Sequence, residues 1–161
     1  PRVESVKTAL EVSRAAKFPP LGDRGLALPA LRASGYGTNP EYRPNSNATT
    51  LVIIQLESAN AMNLALDIGG LPEVDLVFVG PTDLSANLAL EGPDHFAALN
   101  QIIDGVLEKC KASKIPVGII PFAGRTATDL KELGFQMIVA GSDVAFLRES
   151  IINLKKTFES K

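Results

Sequence analysis

The chain has 161 residues, a formal net charge of −2, 45% hydrophobic and 21% charged residues, which sets the scale of one globular domain with a sizeable core. Acidic and basic residues are interspersed, which excludes the electrostatic footprint of a nucleic-acid binder, and the apolar runs are too short to span a bilayer. The single cysteine, Cys110, excludes an internal disulfide and a thiolate metal cluster.

Residues 3–17 are predicted as a helix, with Val3, Val6, Ala9, Leu10, Ser13 and Ala16 on one face. The stretch FPPLGDRG (Phe18–Gly25) stops it with two prolines and two glycines. Residues 26–50, rich in Gly, Pro, Asn and Ser, are expected to be irregular, and a connection of that length points to a functional or interface loop. The sequon at Asn47–Thr49 is expected to be a chance match. A repeated pattern follows. Four apolar runs, Thr50–Glu57, Val74–Gly80, Ile115–Ile120 and Phe135–Gly141, read as strands. Helices are predicted after each: Ala59 to about Ile68, Asp94 to Ala112 behind EGPD (Glu91–Asp94), Ala127 to Leu133, and a last helix capped by Ser142 and Asp143. The last carries Val144, Leu147, Ile151, Leu154 and Phe158 as its apolar face. Doubly apolar strands alternating with amphipathic helices define an α/β fold with a parallel sheet. Neither a Rossmann glycine fingerprint nor a phosphate-binding P-loop is present.

Polar residues collect just after the strands: Gln55 and Glu57, then Asp83, then Ser142 and Asp143. In parallel α/β folds the carboxyl ends of strands carry the chemistry, so Glu57 and Asp83 are expected on one rim. If their strands are neighbours, about 5 Å apart, both carboxylates reach one cation. Two carboxylates completed by water suit Mg²⁺ or Mn²⁺, and such a half-open site polarises a substrate carbonyl. Gln55, two residues before Glu57, points to the same face and can hydrogen-bond a substrate oxygen. The turn Gly80–Asp83 opens a short helix whose free backbone N–H groups suit a substrate carboxylate. A helix cap is the competing reading of Glu57 or Asp83 taken singly. His95 reads as a solvated residue at a helix start, since a histidine becomes a base only with substrate in reach.

PPLGDRG (Pro19–Gly25), QLES (Gln55–Ser58), VDLVFVGPTDLS (Val74–Ser85) and VAGSDVAFL (Val139–Leu147) resemble, in order and spacing, the motifs of the HpcH/HpaI aldolase family of class II, metal-dependent pyruvate aldolases. The resemblance covers essentially the whole chain and implies a partial (β/α)8 TIM barrel, about its second half, with residues 1–161 as one C-terminal portion. It implies Glu57 and Asp83 as ligands of Mg²⁺, Mn²⁺ or Co²⁺. Gln55 would contact the pyruvate unit, and the backbone amides of Thr82 and Asp83 would hold its carboxylate. The implied reaction cleaves a 4-hydroxy-2-keto acid to pyruvate and an aldehyde through a metal-stabilised enolate. Two alternatives stay open: a citrate-lyase-β-like CoA-ester lyase, and a non-catalytic truncated remnant. The family's catalytic His and enolate-stabilising Arg are expected upstream of Pro1, so no catalytic residue is assigned here; neither His95, Arg24 nor Arg125 takes those roles. The resemblance also implies a homo-oligomer, often a hexamer, exchanging the last helix between neighbours, with the PPLGDRG loop at a neighbour's active-site mouth. No charged and apolar leader opens the sequence, and a cytoplasmic location is expected. The start at Pro1, without Met, predicts a fragment or processed product. A half barrel exposes two strand edges and one apolar face, so the chain is expected either to be a fragment of a longer protein or to assemble with another chain.

Overall fold

The computed structural model describes residues 1–89, 92 and 94–159. The predicted EGPD stretch therefore lies partly outside the described residues. Four strands, β1 (Ile53–Leu56), β2 (Leu76–Val79), β3 (Val117–Ile119) and β4 (Met137–Ile138), form one sheet in the order β1-β2-β3-β4. All three pairings are parallel, and β1 meets β2 with Gln55 opposite Phe78 and Leu56 opposite Val79. Helices alternate with the strands: α1 (Val6–Ala16), α2 (Tyr42–Thr49), α3 (Ala59–Asn63), α4 (Ala65–Gly69), α5 (Pro81–Asn87), α6 (His95–Ala112), α7 (Ala127–Leu133) and α8 (Asp143–Glu159). Strand after helix after strand, each crossover returning to the next sheet position, is the layout of a barrel segment.

The two faces of the sheet differ. Ile54, Leu56, Val77, Val79, Val117 and Ile119 are buried. They form one core with Ile68, Leu99, Ile103, Leu107 and Leu130 from the helices. The other face carries Ile53, Gln55, Leu76, Phe78 and Met137, all half-buried. Gly118 lies on that second face, where a Cβ would come within 2.7 Å of the Phe78 ring and 3.2 Å of Met137 Cβ. This is the apolar barrel-interior face, and its partial exposure is that of a sheet whose continuation is not among the described residues. The outer edge of β1 is met by the opening residues of the chain, Val3 N–H donating to the Gln55 carbonyl at 3.3 Å.

Three sequence expectations change. Val3 and Glu4 are not helical: Ser5 is the N-cap of α1, its hydroxyl accepting from the Thr8 N–H, so Val3 is buried as part of an extended segment beside β1. Residues 26–50 are not irregular throughout, for two 3₁₀ turns and α2 lie there. Pro44 sits in the first turn of α2, where its missing N–H breaks no helical bond. The segment Ala59–Ile68 divides into α3 and α4 at Leu64, whose φ of −92° and ψ of 6° leave the helical region.

Cys110 is a fully buried free thiol in α6, and burial pushes its pKa up. Leu84, also fully buried, fastens α5 to the core. Leu84→Ala is expected to lower unfolding free energy by about 2–5 kcal/mol through lost burial and a residual cavity. Urea denaturation measures it, as a fall in midpoint at constant slope.

Candidate active site

β1 runs directly into Glu57, and β2 into Gly80 and α5. The register that sets Leu56 opposite Val79 sets Glu57 beside Gly80. Gly80 is in an ordinary backbone region, with φ −95°. Its lack of a side chain is required by space: a Cβ there would lie 2.7 Å from Glu57 Cγ, 2.9 Å from Oε1 and 3.1 Å from Gln55 Nε2.

Glu57 is the single buried charged residue among the described residues, 7% exposed. Burying a carboxylate is costly unless its oxygens are hydrogen-bonded. Both are: Gln55 Nε2 donates to Oε1 at 2.8 Å, and the Arg2 backbone N–H donates to Oε2 at 2.8 Å. Arg2 adopts a left-handed conformation, φ 52°, to present that N–H. Asp83, in the first turn of α5, is exposed and makes no hydrogen bond or ion pair with other described residues. Glu57 and Asp83 line a single cavity of about 220 Å³, together with Arg2, Glu4, Ser58, Ala86 and Asn87. The backbone N–H groups of Thr82 and Asp83 belong to the first turn of α5 and so have no intrahelical acceptor.

A third carboxylate, Glu4, borders the same cavity but is engaged elsewhere. Ser58 Oγ donates to Glu4 Oε2 at 2.6 Å, and the same hydroxyl accepts from the Ala61 N–H as the N-cap of α3. No group of three or more His, Cys, Asp or Glu placed to hold a metal occurs among the described residues. The donor set is thus two carboxylates, all oxygen. Each carboxylate oxygen carries two lone pairs, so Glu57 keeps acceptor capacity beyond its two hydrogen bonds. Such a pair fits a hard divalent ion that takes its remaining oxygens from water or substrate.

A larger cavity of about 540 Å³ lies across α5, between α5, α6 and the loop after β3. Its lining (Thr82, Ser85, Phe96, Phe122 and others) contains no titratable side chain, whereas the smaller cavity carries both carboxylates. The other candidate groups are committed. Arg125 donates to Asp104 through both terminal nitrogens, at 2.6 and 2.7 Å, and that pairing holds the guanidinium pKa up. Arg24 lies over the Phe18 ring at 4.7 Å and donates to the Tyr42 hydroxyl, pinning the PPLGDRG loop against α2. His95 Nδ1 is 2.6 Å from the Gly92 carbonyl, and His95 does not line the carboxylate cavity. Asn47, of the sequon, has its amide bound to both the N–H and the carbonyl of Phe18. The sequence singles out Glu57, Asp83, Gln55 and Thr82. The fold brings Glu57 and Asp83 to one cavity with Gln55 bonded to Glu57 behind it, while Thr82 lines the larger cavity across α5. It does not signal the Arg2 N–H, which lies 55 positions from Glu57 and depends only on backbone.

A parallel barrel-type sheet with two carboxylates at its carboxyl rim defines an α/β fold of the TIM-barrel class. The HpcH/HpaI aldolase/citrate lyase family model matches residues 1–150, and the chain belongs to that family. It is 30% identical to a 5-keto-4-deoxy-D-glucarate aldolase of Enterobacter sp. (strain 638), over 99% of this chain and 62% of that protein. It is 33% identical to a 2-dehydro-3,6-dideoxy-6-sulfogluconate aldolase of Pseudomonas putida, over 91% of this chain and 57% of that protein. Among solved structures, an HpcH/HpaI aldolase/citrate lyase family protein of Burkholderia cenocepacia J2315 superposes with a TM-score of 0.81 at 31% identity, over 98% of this chain and 62% of that one. An HpcH/HpaI aldolase of Desulfitobacterium hafniense DCB-2 gives 0.79 at 26% identity, over 99% and 62%. The chain thus spans about three-fifths of the length of these relatives. The fold is accordingly a partial TIM barrel of four parallel strands with their helices. No helix among the described residues is long and apolar enough to cross a membrane.

Proposed function

We propose that this chain supplies the metal and ketoacid-binding part of a cytoplasmic class II aldolase that cleaves a 4-hydroxy-2-keto acid to pyruvate and an aldehyde. The observation that carries the reading is the convergence of buried Glu57 and uncommitted Asp83 on one cavity beside the first turn of α5. Glu57 and Asp83 would hold Mg²⁺, Mn²⁺ or Co²⁺. The ion, when bound, supplies Lewis-acid polarisation of the ketoacid oxygens. The amides of Thr82 and Asp83 face the ketoacid carboxylate, where a helix's first turn favours negative charge. Gln55 has a second N–H, beyond the one given to Glu57, for a substrate oxygen. Proton transfer falls to groups on the remaining part of the barrel, because Arg24, Arg125 and His95 are engaged away from the cavity. A buried free thiol at Cys110 suits a reducing compartment.

Oxaloacetate decarboxylation by the complete natural chain tests this. Treatment with EDTA is expected to abolish turnover, and Mg²⁺, Mn²⁺ or Co²⁺ to restore it. Turnover unaffected by chelation would remove the metal-dependent reading.

A further inference from the structure

We propose that Gln55 is a positioning residue for Glu57, setting its carboxylate before any metal arrives, an inference that rests on the metal-site reading above. Three features converge on this one side chain. Gln55 Nε2 holds Oε1, the Arg2 backbone N–H holds Oε2, and Gly80 leaves just enough space for the pair on the neighbouring strand. A glutamate has three rotatable side-chain bonds, and ordering it on demand costs binding free energy. Here that ordering is built in, since the carboxylate is buried and both oxygens are already taken by N–H donors. Asp83 has none of this support: it is exposed and makes no bonds with other described residues. The two carboxylates are therefore unequal. Glu57 is the preset partner of the ion, and Asp83 is the one that adjusts to it. The spacing of Gln55 and Glu57, two residues apart on one strand face, makes the hydrogen bond possible without a turn or a second element. Groups that orient a metal ligand are worth about 10–100-fold in affinity.

The test is Mn²⁺ binding to the complete natural chain without any ketoacid, read as free Mn²⁺ by electron paramagnetic resonance. Gln55→Met, close in size but without a donor, is expected to raise the Mn²⁺ Kd about tenfold or more. The thermal midpoint is expected to fall by about 2–10 °C with the fold intact, because Oε1 loses its donor while the Arg2 N–H still serves Oε2. Gly80→Ala adds a Cβ that crowds Glu57 Cγ, Glu57 Oε1 and Gln55 Nε2 together, and is expected to move the Kd in the same direction. If Gln55 only touches substrate, Gln55→Met leaves the Mn²⁺ Kd at its wild-type value and raises only the ketoacid KM; that result overturns the positioning role and spares the metal site. If the wild-type chain binds no Mn²⁺, or binds it equally well after Glu57→Gln and Asp83→Asn, the metal reading falls and this inference with it. Should Gln55→Met fail to fold by circular dichroism, Gln55→Asn, which keeps the amide but shortens its reach to Glu57, decides by the same Kd criterion.

Discussion

Asp83→Ala is expected to reduce kcat/KM for oxaloacetate about 10²–10⁴-fold while leaving the protein as stable as before. On the proposed metal-dependent reading, the loss follows from removing one of the two carboxylates that would hold the ion, a contribution of several kcal/mol, with each 1.36 kcal/mol worth about tenfold in rate. The unchanged stability follows from its surroundings. Asp83 is exposed and bonded to no other described residue, so its removal orphans nothing. Substitutions at such positions stay within about 0.5 kcal/mol, about 2 °C or less for a chain of this size. Glu57→Ala is expected to lose activity to a similar extent but to differ in stability. It strands the Gln55 Nε2 and Arg2 N–H donors around a part-buried void. Leaving such donors without an acceptor costs about 1–3 kcal/mol. Kinetics and thermal melts on the two variants separate the roles: equal losses of stability would contradict the asymmetry between the carboxylates.

That asymmetry is the part of the site the sequence does not display. The strands were legible because Val77, Val79, Val117 and Ile119 belong to short apolar runs bounded by Gly, Pro and Asp, and because amphipathic segments such as α6 intervene. Glu57 and Asp83 were legible for the same reason, as polar residues that end successive strands. What escaped depends on contacts between distant positions. α2 buries only Ser46 and has no apolar stripe to announce it. It is held instead by Asn47 on the Phe18 backbone and by Lys17 Nζ donating to the Asn47 carbonyl. Val3 satisfies helical periodicity equally well, and only the Ser5 cap and the pairing with Gln55 place it outside α1. The commitment of Arg125 to Asp104 spans 21 positions, from the loop before α7 back to α6. Periodicity reports which way a residue faces along its own element; it carries no information on which hydrogen-bond partner waits there.

α8 supplies the second large expectation. Every described residue of this 17-residue helix is outside the core. Val144, Leu147, Ile151, Leu154 and Phe158 are 57–76% exposed. Their spacing of three, four, three and four residues makes one continuous stripe, the pattern of a helix built to lie against another surface. Ion-paired Lys155 and Glu159, 3.3 Å apart, belong to the polar remainder. An apolar stripe left open to water on a protein of this size marks an interaction surface. Its proposed occupant is a second copy of the chain, as part of a homo-oligomer in which neighbours exchange this helix. Leu147→Glu combined with Ile151→Glu places two charges in the middle of the stripe, where a desolvated, unpaired charge opposes association strongly. The expected result, by size-exclusion chromatography with light scattering on the complete natural chain, is a fall from the oligomer to a smaller species that keeps its helical circular dichroism. The opposite pattern, an unchanged mass with a lowered thermal midpoint, would mean that α8 folds back onto its own barrel. The stripe would then be closing the core of one molecule.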